Sequence, residues 1–74
     1  MVDEEDKKAR KEMGEKMKSV REKKNLTQAQ VALDAGVHVN YYARVERGEE
    51  NPTFDIIRRI VKGLKAKSAE ILPF

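Results

Sequence analysis

Cysteine and tryptophan are absent from this sequence of 74 residues, proline occurs twice and histidine once. Without cysteine there is neither a disulfide framework nor a thiolate metal site, and one imidazole does not assemble a zinc cluster. No metal and no other cofactor is expected, and the missing cysteines suit a reduced, cytoplasmic setting. No apolar run approaches the roughly 18 residues that cross a bilayer. The opening MVDEEDKKARK is charged where a secretory signal carries its apolar region, so a soluble chain without a membrane partner is expected. Catalysis is also disfavoured: there is no nucleophile–base pair and no phosphate-cradling glycine loop, and no small-molecule substrate suggests itself.

Charge, by contrast, is abundant, at 39% of residues, yet the net value is only +3. Residues 1–20 balance six acidic against six basic side chains, and the surplus lies in 21–74, ten basic against seven acidic. That excess permits a nucleic-acid partner without demonstrating one. The length allows one domain, near the size at which a single core barely suffices, so a partner subunit would help.

Residues 1–10 form a charged tail in which Asp3/Lys7 and Glu4/Lys8 are spaced for pairing on a helix. This tail either frays or continues into helix one, and residues 11–74 form the domain. Ala9, Met13, Met17 and Val20 recur at helical spacing on a helix ending near Asn25. In LTQAQV, Thr27 and Gln30 are placed as a capping box, with Leu26 and Val31 as a hydrophobic staple. Gly36 ends this second helix. A third runs from about Val39 to Arg47 and stops at Gly48. Thr53 caps a fourth, with Phe54, Ile57, Ile60/Val61 and Leu64 as its buried stripe, and Gly63 inside it marks close packing or a bend. Ser68 caps a last short turn carrying Ile71 and Leu72. No segment alternates with period two, so the fold class is all-α, a compact bundle of about five helices.

Helix two, Gly36 and helix three form one unit. Ala32 is small where two steeply crossing helices meet, while Val31, Ala35, Val37, Tyr42 and Val45 point into a shared core; this is the helix-turn-helix spacing. On a wheel of about 100° per residue, Tyr42 and Val45 of helix three oppose Asn40, Ala43, Arg44 and Arg47. Arginine can bond guanine O6 and N7 together, asparagine adenine N6 and N7, and an alanine methyl can touch that of thymine. Such a face suits a DNA major groove.

The pieces T-Q-x-x-x-A-x-x-x-G at 27–36 and V-E-R-G-E-x-N-P-T at 45–53 are the most specific. With them, residues from about Met17 to Leu72 resemble the helix-turn-helix domain of the phage repressor and Cro-type family. A stand-alone domain this small is also similar to controller proteins of restriction–modification genes and to some antitoxin-type repressors. The resemblance implies base contacts from Val39, Asn40, Ala43 and Arg44. It implies sugar–phosphate contacts from Gln28, Tyr41, Arg47 and Asn51, and an Arg21–Glu46 pair bracing helix one against helix three. Three positions depart from the family pattern. His38 stands where Ser, Thr or Asp usually caps, which allows helix three to start later with Asn40 as cap and no longer a reader. Tyr42 replaces a packing Ile or Val, and Val39 replaces a polar reader.

Lys23/Lys24 and Lys62/Lys65/Lys67 are read as solubilising, the first pair with phosphate attraction as an alternative, and Glu49-Glu50 as the limit of the DNA face. Ile56, Ile71 and Phe74 are left after the core stripes are assigned; they form either a two-fold interface or satellite packing within one subunit. The function expected is a sequence-specific, double-stranded DNA-binding transcriptional regulator, homodimeric on an inverted repeat. The alternative is an antitoxin or adaptor-type module that holds a partner protein.

Overall fold

The computed structural model describes residues 4–72. Among them are five helices and no strand: α1 (Glu4–Lys23), α2 (Gln28–Ala35), α3 (Val39–Glu46), α4 (Phe54–Gly63) and α5 (Ser68–Ile71). Residues 4–10 are the first turns of α1, where Glu4, Glu5 and Asp6 favour the positive end of the helix dipole.

Helix starts follow side-chain caps. Thr27 Oγ1 accepts the Gln30 N–H at 3.0 Å, and Gln30 Oε1 accepts the Thr27 N–H at 2.7 Å, closing the box that begins α2. The Asn40 N–H donates to His38 Nδ1 at 3.1 Å, so α3 begins at Val39 and the Asn40 side chain is not the cap. Thr53 Oγ1 accepts from Ile56 N at 3.2 Å at the head of α4. Ser68, however, is already the first helical residue of α5. Lys67 holds the cap position, and its N–H donates to Glu70 Oε1 at 3.3 Å, which shifts the expected boundary by one residue.

Four helix ends share one solution. Leu26, Val37, Glu49 and Ala66 N–H groups donate to the carbonyls of Arg21, Ala32, Arg44 and Val61 at 3.0, 3.0, 2.9 and 3.2 Å. Each bond spans a left-handed residue: Asn25, Gly36, Gly48 and Lys65, with φ of 57°, 71°, 76° and 56°. The non-glycine pair is tied down at one place. Lys24 Nζ donates to Leu64 O at 3.0 Å and also to Lys65 O, so this exposed lysine ties down the end of α4.

The core joins Met13 and Met17 of α1 to Val31, Ala32 and Ala35 of α2, Tyr42 and Val45 of α3, Ile60, Val61 and Leu64 around α4, and Ile71 of α5. α2 packs on α4, and α1 on α3 and α5. Gly63 marks close packing: a β-carbon there would stand 3.2 Å from Val31 O. One core expectation needs correction, and one interface alternative falls away. Phe54 is 78% exposed, because it lies a turn before Ile57, itself only half-buried, where the neighbouring helices no longer cover α4. Ile71 is 0% exposed, enclosed by its own subunit, so it presents nothing to a second copy.

Candidate nucleic-acid interface

α3 buries Tyr42, Val45 and Glu46 and turns the rest of its circumference outward. Asn40 and Arg47 are exposed, and Ala43 and Arg44 are half-buried on that face. Val39 and Tyr41 each lay one flank on the core, which leaves only part of either side chain for a ligand. Asn51 is exposed in the loop after α3, beside a groove shared with Ala9, Arg10 and Met13 of α1.

Helix orientation is set by a buried ionic joint. Arg21 donates through Nε to Glu46 Oε2 at 2.7 Å and through Nη2 to Glu46 Oε1 at 3.1 Å, linking α1 to α3. Gln28 Nε2 donates to the same Oε1 at 2.9 Å, which brings in the first turn of α2. Arg21 also donates to Leu26 O at 3.0 Å. Burial pushes the Glu46 carboxyl up, but Arg21, the Tyr42 hydroxyl that faces it and Gln28 together outweigh burial and hold the group below the usual carboxylate range. Gln28 thus turns its amide inward onto the joint. It lines an outer groove in which Lys11, Lys18 and Arg47 stand among the carboxylates of Glu15, Glu46 and Glu49. The two α1 lysines escaped the sequence reading because their helical register marks them only as solvated.

Tyr42 ends beside this joint. Burial pushes its phenol far above the usual value, helped by the nearby Glu46 carboxylate, yet its hydroxyl makes no hydrogen bond among the described residues. An unsatisfied buried hydroxyl costs about 1–3 kcal/mol. Tyr42→Phe is therefore expected to leave stability unchanged or raise it by about 1 kcal/mol in urea unfolding. A loss beyond about 1 kcal/mol would show the hydroxyl bonded to Glu46.

The outward arginines are not free. Arg44 Nε donates to Glu50 Oε2 at 2.8 Å, and its guanidinium lies 5.9 Å from the centre of the Tyr41 ring. Arg47 donates through Nε and Nη2 to the two carboxylate oxygens of Glu49, both at 3.1 Å. These hydrogen bonds raise the affinity of Arg47 for its proton and lower that of Glu49. The Glu49-Glu50 pair therefore does more than bound the face. The left-handed Gly48 reverses the chain so that both carboxylates return onto α3, a fold-back that residue spacing alone does not signal. Among the other expected contacts, Ile56 is half-buried on α4 and Phe74 lies outside the described residues.

No group of acidic and histidine side chains among the described residues could hold a metal, and no described helix is long and apolar enough to cross a membrane. Residues 17–72 match a helix-turn-helix family model. The control protein C.BamHI of Bacillus amyloliquefaciens is 32% identical over 62 residues, covering 82% of this chain and 76% of that protein. Among solved structures, the restriction-modification controller protein C.AhdI from Aeromonas hydrophila aligns with a TM-score of 0.80 at 26% identity, over 84% of this chain and 94% of that one. The clp gene regulator ClgR from C. glutamicum shares the fold, with a TM-score of 0.81 at 24% identity over 85% of this chain and 82% of that one. The cap-and-turn geometry of α2 and α3, the Arg21–Glu46 joint and these matches agree: the chain belongs to the Cro/CI-type helix-turn-helix family.

Proposed function

We infer that this protein is a cytoplasmic, sequence-specific transcriptional regulator that inserts α3 into the major groove of double-stranded DNA as a homodimer. The observation that carries the reading is the outward face of α3. Exposed Asn40, a small Ala43 and a laterally held Arg44 stand opposite the buried Tyr42 and Val45. Asn40, Ala43 and Arg44 read base edges, with a methyl contact from Val39. Gln28, Tyr41, Arg47 and Asn51 meet the sugar–phosphate backbone, which sets register and carries no sequence information. Relatives named as a control protein and a restriction-modification controller favour control of restriction–modification genes as the setting.

The two-fold contact falls to Ile56 and the exposed Phe54 on the first turn of α4. A dimer sets two recognition helices about 34 Å apart, one turn of DNA, and requires an inverted repeat. Selecting bound sequences from a random duplex pool tests both statements. An enriched inverted repeat is expected. A lone half-site would remove the dimer and keep the reader, whereas no enrichment at about 50 mM salt, where phosphate attraction is strong, would remove the reading itself. On the selected site, Arg44→Ala is expected to cost about 1–3 kcal/mol and to relax preference at one base pair, while Gln28→Ala weakens all sequences alike. Equal loss on every sequence for Arg44→Ala would make it a phosphate contact.

A further inference from the structure

We propose that Glu50 is a positioning residue for DNA reading. It holds Arg44 from the side, so that the two terminal nitrogens of the guanidinium stay free and aimed at a base. This inference rests on the base-reading role of Arg44. The three arginines with acidic partners near α3 are engaged differently. Arg21 and Arg47 each give up Nε and one terminal nitrogen to both oxygens of a carboxylate, which occupies the fork. Arg44 gives up Nε alone, to a single oxygen of Glu50, and neither of its terminal nitrogens is hydrogen-bonded among the described residues. Recognition of guanine O6 and N7 can use that free pair.

The hold is built, because Arg44 is restrained at three points. Its Nε is on Glu50, its guanidinium is over the Tyr41 ring, and its own carbonyl accepts the Glu49 N–H at 2.9 Å, which ties the acidic loop to the residue it orients. Fixing a long side chain before binding lowers the ordering cost of the contact and narrows the geometries it accepts. Glu49 carries the same charge one residue away but fills the fork of Arg47, so it competes with a phosphate and orients nothing toward a base.

The neighbouring glutamates therefore make a controlled test. Affinities are measured for the duplex selected by the unaltered protein and for its single-base variants, with Glu50→Ala, Glu50→Gln, Glu49→Ala and Arg44→Ala. Glu50→Ala is expected to reduce discrimination at the base pair read by Arg44 by roughly two- to five-fold, the coupling range of a partly exposed ion pair. Its urea midpoint should not move. Glu50→Gln keeps an acceptor for Nε and should restore part of the discrimination. Glu49→Ala should tighten binding to all sequences and leave discrimination intact. In an Arg44→Ala background, Glu50→Ala should no longer alter discrimination. If Arg44→Ala relaxes base preference and Glu50→Ala does not, the positioning role is overturned and base reading stands. Tighter binding by Glu50→Ala at undiminished discrimination also overturns it, making Glu50 a competitor like Glu49. If Arg44→Ala leaves base preference untouched, the base-reading role fails and takes the positioning role with it.

Discussion

Gly14→Ala is expected to destabilise the protein by about 2–4 kcal/mol, the upper half of ordinary overpacking and somewhat beyond. In an open helix the same change would stabilise by about 1 kcal/mol, so the expected sign is opposite to that of helix propensity. Gly14 sits in the middle of α1, where a β-carbon would lie 2.6 Å from Val45 O, 2.8 Å from Glu46 C and closer still to Glu46 O. Those are backbone atoms at the end of α3, and no rotamer change relieves them. Nor can the end of α3 readily step aside. Glu46 is clamped by Arg21 and Gln28, and Gly48 lies so near α1 that its own β-carbon would stand 2.9 Å from Lys11 Cα. The clash must move α1 as a body off α3, opening the core around Met13 and Met17. Urea unfolding followed by circular dichroism reads the change. A variant as stable as the parent would show that α1 and α3 do not approach this closely.

Gly14 also illustrates what the sequence withholds. Hydrophobic period placed Met13 and Met17 on the buried face of α1 correctly, because both obey the spacing of one helix. A glycine between them is defined by the helix that crosses it, thirty positions later. Caps and turns were legible for the opposite reason: Thr27, Gln30 and Gly36 bond to groups within a few residues, so local chemistry alone determines them. Phe54 shows the limit of periodicity, which identifies the face of a helix and not how far its neighbours extend. Of the proposed interface, the buried side of α3 was legible in the sequence. The return of Glu49 and Glu50 onto its arginines was not, because it needs the three-dimensional course of the chain after Gly48.

Glu46→Ala is expected to cost about 3–5 kcal/mol, the range for removing one partner of a buried ion pair. A chain of this length has only about 4–11 kcal/mol of stability in all, so the variant should be largely unfolded in mild urea. The loss arises less from the missing attraction than from what is stranded. Arg21, with a side chain 12% exposed, keeps its charge without a carboxylate, and Gln28 loses its acceptor. Replacing both partners, Arg21→Met with Glu46→Leu, should therefore recover most of the stability that either single change removes. A double variant no better than the worse single one would refute stranding as the cause. Protonation makes the same cut reversibly. Because the native state holds Glu46 below its usual range, the unfolded chain binds its proton more readily, and stability rises with pH. The contribution is complete above the ordinary glutamate value of about 4.3 and drains as pH falls through the depressed native one. Urea midpoints from pH 7 to pH 3 should drop in the parent across that window and drop less in Glu46→Gln. Parallel curves would place the acid sensitivity elsewhere. Since Glu46 joins α1, α2 and α3 at one carboxylate, the acid-weakened protein should lose the fixed angle of α3 before it loses its helices.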